Sequence, residues 1–68
     1  MANTWNNFVG TIFVDGQRNF SKGKYHRSSL VKELRERVEN WRDIEEHDDV
    51  EIRVLHVRKG KVETIKIK

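Results

Sequence analysis

The last part of the chain, residues 50–68, alternates apolar and polar side chains on both sides of a Lys59-Gly60 pair. Such alternation is typical of β-strands with one buried face, and glycine tolerates the positive φ that tight turns need. We therefore predict a hairpin with Lys59 and Gly60 as its two turn residues. In this register His56 lies opposite Glu63. One face then collects five aliphatic side chains: Val50, Ile52, Val54, Ile65 and Ile67.

A second hairpin is predicted near the N-terminus, where an apolar run ending at Val14 is followed by Asp15-Gly16. Asp-Gly favours a type I′ turn because both of its central residues adopt positive φ. The alternation before the turn is imperfect, and Gly10 is a candidate for a β-bulge that switches the strand between faces. The sequence leaves open which of two sets is buried: Phe8, Ile12 and Val14, or Val9, Phe13 and Phe20.

The segment between the two hairpins has the period of an amphipathic helix. Ser28 or Ser29 suits the N-cap, because a serine oxygen accepts a hydrogen bond from a free first-turn amide. The acids at its C-terminal end, which the helix dipole disfavours, indicate either a functional feature or a helix that stops near Asp43. Glu33 and Arg37 are spaced for an i,i+4 ion pair. The apolar stripe consists of Leu30, Val31, Leu34, Val38, Trp41 and Ile44.

The order hairpin, helix, hairpin within 68 residues predicts one small α+β domain, residues 1–68. The simplest packing is a four-stranded sheet with the helix across one face, in the order ββαββ. This order resembles that of β-grasp domains, such as the immunoglobulin-binding domains of streptococcal type. The resemblance implies that the first and last strands lie parallel at the sheet centre, joined by a right-handed crossover. It rests on element order alone, so it implies no binding residue.

The composition and motifs exclude several classes of protein. The chain has no cysteine, which excludes disulfides and thiolate metal sites. Its first residues lack a positive region followed by a long apolar run, so we expect no secretory signal. No apolar run is long enough to span a membrane, and we expect a cytoplasmic protein. His26, His47 and His56 lack the spacing of a metal site, and no nucleophile or phosphate-loop motif is present. We therefore expect no enzyme activity, no metal and no cofactor.

A single helix covers only one face of the predicted sheet, which leaves the other face open. On the second hairpin that open face carries apolar side chains beside basic ones. A contiguous apolar patch often marks an interaction site, whereas scattered apolar residues are ordinary on a surface. The predicted partner-binding residues are Leu55, Val57, Val62 and Thr64, with Arg53 and Lys66 at the rim.

Charge is unevenly distributed along the chain. The net charge is +3, but both ends of the chain are basic and the middle is acidic. Cations interleaved with aromatic rings suit nucleic acid, because cations contact phosphates and rings stack on bases. The same pattern is typical of an edge strand guarded by lysines. The residues of this alternative site are Arg18, Lys22, Lys24, Tyr25 and Arg27 in the first basic segment, and Arg58, Lys59 and Lys61 at the second turn.

Two functions follow from these features. The first is a small non-enzymatic module that binds a protein partner or a second copy of itself through the open face or a sheet edge. Compact regulators or inhibitors of phages and mobile elements are proteins of this kind. The second is a nucleic-acid-binding protein that uses the two basic hairpins. We favour the first, because the acidic end of the helix argues against an extended nucleic-acid footprint.

Overall fold

The computed structural model describes residues 7–68, so the start of the first apolar run, including Trp5, lies outside the described residues. Two hairpins flank one helix, which confirms the ββαββ order and the α+β class. A short 3₁₀ helix precedes the third strand. The elements are β1 (Phe8–Val14), β2 (Gln17–Lys24), α1 (Arg27–Glu39), the 3₁₀ helix (Ile44–Glu46), β3 (Val50–His56) and β4 (Lys61–Lys66).

The four strands form one antiparallel sheet in the order β2-β1-β3-β4. The parallel central pair implied by the β-grasp resemblance is wrong, because β3 rather than β4 lies beside β1, and it runs antiparallel. The composition of the two strands explains this order. β3 buries Val50, Ile52 and Val54, which suits a central position. β4 carries Lys61 and Lys66 and is exposed along most of its length, as edge strands are.

The first hairpin turns at the predicted Asp15-Gly16 pair, whose φ angles of 51° and 84° are those of a type I′ turn. The β-bulge lies on β2 rather than at Gly10, because Asn19 is an extra residue without a partner on β1. The bulge moves Phe20 to the helix side of the sheet. That side therefore holds one of the two candidate sets, Phe8, Ile12 and Val14, now joined by Phe20.

The hydrophobic core lies between α1 and the helix side of the sheet. Trp41 and Ile44, predicted for the helix stripe, follow α1 and pack against the core while remaining partly exposed. No polar side chain among residues 7–68 is buried, so apolar packing is what holds the layers together. The buried cluster consists of Ile12, Val14, Leu30, Leu34, Val38, Val50, Ile52 and Val54.

At Gly10 the helix lies directly against the backbone of β1. A Cβ atom at this position would lie 2.3 Å from Leu34 Cδ1 and 3.1 Å from Leu30 Cδ2. Both leucines are fully buried, so neither has free space into which it can move. The absence of a side chain at Gly10 therefore sets how closely α1 approaches the sheet.

The second hairpin turns over four residues, 57–60, rather than over the predicted pair. His56 lies opposite Lys61 instead of Glu63, a shift of two residues from the predicted register. Gly60 has a φ of 67°, and its amide donates to the His56 carbonyl at 2.8 Å. Four-residue loops are among the common connections of β-hairpins. Because side chains alternate with a period of two, a two-residue shift leaves each on its predicted face.

The helix begins earlier and ends earlier than predicted. α1 starts at Arg27 with His26 at the N-cap position, so neither of the candidate serines caps it. It ends at Glu39, with Asn40 at the C-cap, rather than near Asp43. An earlier end keeps the acids that follow away from the C-terminus of the helix dipole, where they are unfavourable.

Hydrogen bonds to Asp15 connect the loop before β3 to the turn of the first hairpin. Its carboxylate accepts hydrogen bonds from the amides of Asp48 and Asp49 at 3.2 and 3.0 Å. The same carboxylate lies 2.9 Å from His47 Nδ1. The hydrogen bond with His47, and after it the bond from the Asp49 amide, lower the pKa of Asp15. These bonds hold the start of β3 next to the end of β1.

Candidate functional site

The face of the sheet opposite α1 carries three rows of side chains that run across the strands. At one end Val9 on β1 lies beside Leu55 on β3, and Leu55 lies beside Val62 on β4. Leu55 is 36% exposed and Val62 is 61% exposed. Val57, two residues after Leu55, is 47% exposed. We call these four residues the apolar row, and the helix on the other side of the sheet does not cover them.

The middle row is polar. Thr11, Arg53 and Thr64 lie side by side on β1, β3 and β4. The hydroxyl of Thr11 also lies 3.0 Å from that of Ser21 on β2. The Arg53 guanidinium lies 4.2 Å from the centre of the Phe13 ring, a cation–π contact. The middle row therefore separates the apolar row from the far end of the face.

The row at the far end is charged. It consists of Phe13, Glu51 and Lys66, which face one another across β1, β3 and β4. Lys66 pairs with Asp49 and Glu51, and the bond with Asp49 does most to raise the Lys66 pKa. Arg53 pairs with Glu51 through Nε at 2.5 Å. The two cations predicted as the rim of the patch are therefore compensated by acids within the chain.

The turn of the second hairpin places other cations next to the apolar row. Arg58 and Lys59 lie in this turn, and Lys61 begins β4. None of these three residues, which we call the cationic tip, forms an ion pair within residues 7–68. Because Lys61 lies opposite His56, its side chain is on the helix side of the sheet. The uncompensated charge next to the apolar row therefore comes from Arg58 and Lys59 in the turn. The predicted partner residues that it brings together are Leu55, Val57 and Val62, with Thr64 in the next row.

The basic residues predicted for a nucleic-acid site do not form one surface. β2 and β4 are the opposite edges of the sheet, so two strands separate the cations of β2 from the cationic tip. Arg27 is the exception, because it lines a cavity together with Lys61. Lys22 and Lys24 both pair with Glu33, and their hydrogen bonds lower the Glu33 pKa. Arg18 lies beside a cavity near the first turn, and Tyr25 is 55% exposed at the end of β2.

Arg27, the remaining basic residue of that prediction, links α1 to β4. Its Nε and Nη2 donate to the two carboxylate oxygens of Glu63 at 2.8 and 2.5 Å. This bidentate hydrogen bonding lowers the pKa of Glu63 and raises that of Arg27. Such pairs are geometrically specific, although exposure to solvent limits their energy. Arg27 therefore joins the helix to the edge strand and is already compensated.

The stability of the fold should fall in acid, because Asp15, Glu33 and Glu63 all have lowered pKa values. A carboxyl with a lower pKa in the folded chain contributes its full stability above its ordinary pKa of about 4. That stability is lost as the pH falls through the folded pKa. We expect the urea midpoint to drop as the pH falls from about 4 toward 2. Asp15→Asn should reduce this drop and Asp43→Asn should not; equal acid responses would contradict the role of Asp15.

The helix side of the sheet holds a groove that the sequence did not indicate. A cavity of about 680 Å³ lies between the end of α1 and β2, lined in part by Asn19, Asn40 and Trp41. Arg37 also lines it, and it does not form its predicted helical ion pair. Its guanidinium lies 3.7 Å from the centre of the Phe20 ring instead. The sequence placed Trp41 in the core, and nothing in the pattern indicated the bulge that brings Asn19 to this groove.

Within residues 7–68 no cluster of three or more His, Cys, Asp or Glu side chains is arranged to hold a metal ion. The same part of the chain contains no helix with the length and apolar character needed to cross a membrane. Comparisons with protein families, curated proteins and solved structures found no match. The function is therefore inferred from the geometry of the chain itself.

Proposed function

We propose that the protein is a small non-enzymatic binding module that docks onto a protein partner through the apolar row. The observation that supports this most directly is the cross-strand pair of Leu55 and Val62, both exposed on the face that α1 leaves open. Val57 extends the pair toward the turn. These side chains contribute little to the core, and a contiguous exposed apolar patch is a feature of interaction sites.

The cationic tip indicates the chemistry of the partner. Arg58 and Lys59 lie in the turn next to the apolar row and have no ion-pair partner within residues 7–68. A complementary surface has an apolar patch bordered by carboxylates, because opposite charges steer association and fix orientation. A second copy of the chain fits less well, since a two-fold axis through the apolar row brings two positive tips close together. We therefore propose an acidic protein partner, as for a compact regulator or inhibitor of the kind that phages and mobile elements encode.

Val62→Glu tests the site. At 61% exposure the substitution should leave the thermal unfolding transition nearly unchanged. It should weaken partner binding about tenfold or more, because it places a carboxylate in the apolar row and opposite an acidic rim. The partner is isolated by affinity capture with the wild-type chain and then purified, and binding is measured by calorimetry.

Ser28→Glu is the matched control, because it adds the same charge to an exposed residue of α1 on the other side of the sheet. A partner lost with Val62→Glu and retained with Ser28→Glu supports the proposal. Binding that survives both substitutions contradicts it. Sedimentation of the wild-type chain alone tests self-association; a dimer that Val62→Glu dissolves would replace the acidic partner with a second copy.

The cationic tip also favours a second candidate function, the binding of nucleic acid. Two uncompensated cations in the turn, with a third at the start of β4, can contact a phosphate backbone and release counterions. Under this alternative Arg58→Gln together with Lys59→Gln should abolish oligonucleotide binding, whereas Val62→Glu should only weaken it. Titration with short single- and double-stranded oligonucleotides at low salt separates the two functions. The absence of binding at low salt would exclude this second candidate.

A further inference from the structure

A groove on the helix side of the sheet is centred on Trp41 and lies on the opposite side from the apolar row. Its floor is formed by the buried side chains of Ile12 and Val38. Its walls are polar or aromatic, with Asn19 from the β2 bulge, Asn40 from the end of α1, and Trp41 itself. The volume of about 680 Å³ is in the range of small-molecule sites, which combine an apolar floor with a few polar groups.

The groove continues past Trp41. A second cavity, of about 360 Å³, shares Asn19 and Trp41 with the first and is also lined by Arg18 and His47. The two cavities therefore lie on either side of one amide and one indole. The His47 ring lies 5.3 Å from the Trp41 ring, centre to centre, and His47 is hydrogen-bonded to Asp15. The Trp41 ring therefore packs against a side chain that Asp15 holds in place.

The two ends of the groove differ in charge. At the α1 end Arg37 lies near Glu33, and Glu33 is already paired with Lys22 and Lys24. Because two lysines neutralise Glu33, the Arg37 guanidinium gives this end of the groove a positive charge. The Arg37 guanidinium stacks on Phe20 at 3.7 Å, which holds it in place without using its hydrogen-bond donors. At the other end, Arg18 and Asp15 both line the second cavity, so charges of both signs are present there.

We propose that this Trp41 groove binds a nucleotide, with the base against the indole and the phosphate at Arg37. An indole face stacks on any planar base, and base–aromatic stacking is a general device for binding nucleotides. The amides of Asn19 and Asn40 each offer a donor and an acceptor for the edge of the base. Arg37 provides a planar fork of donors that matches a phosphate. A free nucleotide and the end of a single strand share this chemistry.

The test is a titration of the ¹⁵N-labelled full chain with each of four ribonucleoside monophosphates, followed by ¹H–¹⁵N spectra. We expect shifts of the Trp41 indole N–H and of the side-chain amides of Asn19 and Asn40, with no shift at Leu55 or Val62. Ribose 5-phosphate, which lacks the base, should bind at least about tenfold more weakly. Absence of binding at millimolar nucleotide, equal binding of ribose 5-phosphate, or shifts at the apolar row instead would each overturn the proposal.

Arg37→Gln should weaken nucleotide binding about tenfold, because a charged hydrogen bond to phosphate is lost. Arg35→Gln is the matched control, since Arg35 is an exposed residue of the same helix and does not line the groove. Equal affinities for the two variants would contradict the placement of the phosphate. If Arg37→Gln unfolds through loss of its contact with Phe20, Asn19→Ala tests the site of the base instead. We expect Asn19→Ala to weaken nucleotide binding by a similar factor.

A short single-stranded oligonucleotide distinguishes the two sources of the ligand. Stronger binding of the oligonucleotide than of the monophosphates, with the same groove shifts and the same loss in Arg37→Gln, assigns the groove to a strand. Stronger binding of a monophosphate assigns it to a free nucleotide. Either result supports the groove as a nucleotide site. Oligonucleotide binding that moves only the cationic tip and leaves the groove unshifted would overturn it.

Discussion

Gly10→Val is expected to destabilise the fold by about 3 kcal/mol, the upper end of the typical cost of overpacking a core. The new Cβ would lie 2.3 Å from Leu34 Cδ1, and two further methyl carbons would follow it toward α1. In a domain of this size the melting temperature should fall by about 15 °C. Thermal and urea unfolding, followed by circular dichroism, measure both quantities. Thr11→Val, the next residue on β1 but on the open face, is the control and should change stability by less than about 0.5 kcal/mol.

A double-mutant cycle identifies the atoms responsible. Leu34→Ala removes the side chain that the new valine would meet, so the variant with both changes should be more stable than the sum of the two single effects predicts. The valine would then fill part of the space that Leu34→Ala opens. Strict additivity would show that Gly10 is required for some other reason, such as the path of the strand. The cycle thus separates close approach from backbone geometry.

Ile52→Ala should cost about 4 kcal/mol, since it removes three carbons from a fully buried side chain at the centre of β3. A chain of this length has roughly 3–10 kcal/mol of stability in total. We therefore expect a substantial unfolded population at physiological temperature, visible as a lowered urea midpoint. Leu55→Ala, on the same strand but on the open face, is the control and should cost less than about 1 kcal/mol. Similar losses for the two variants would mean that the open face belongs to the core.

The sequence was sufficient to predict the succession of hairpin, helix and hairpin along the chain and the buried face of the second hairpin. Local signals carried that information: the Asp15-Gly16 pair fixed the first turn, and the apolar period from Leu30 to Val38 fixed the helix. The order of the strands was predicted wrongly because element order alone does not choose which strand neighbours β1. The difference between β3 and β4 in buried apolar residues does indicate the order.

Two errors in register had different physical origins. The second turn is longer than predicted, but a slip of two residues preserved the face of every side chain, so Leu55 and Val62 still meet on the open face. The bulge at Asn19 instead moved Phe20 into the helix layer, away from Val9 and Phe13, with which the sequence alternation had grouped it. The position of a bulge depends on how the strands pack against each other and against the helix. Local sequence patterns carry no information about this packing.

The candidate sites also differ in how far the sequence could predict them. The apolar row follows from alternation along two adjacent strands, so its central pair was predictable. The compensation of Arg53 and Lys66 by nearby acids was not, because it depends on which strands are neighbours. The Trp41 groove could not be predicted from the sequence for the same reason. Its residues come from β2 and the end of α1, and only packing of the helix on the sheet brings them together.

The position of β4 at the edge of the sheet has a consequence for the kinetics of local opening. β3 has β1 on one side and three buried residues, whereas β4 pairs only with β3 and has no fully buried side chain. Amide hydrogen exchange should therefore be slowest in β1 and β3 and faster in β4, which opens without global unfolding. The apolar row spans this boundary, with Leu55 on the rigid strand and Val62 on the strand that opens. A partner that contacts both residues would stabilise the pairing of β4 with β3 and slow amide exchange in β4. Partner binding would then be coupled to the local opening of this edge strand.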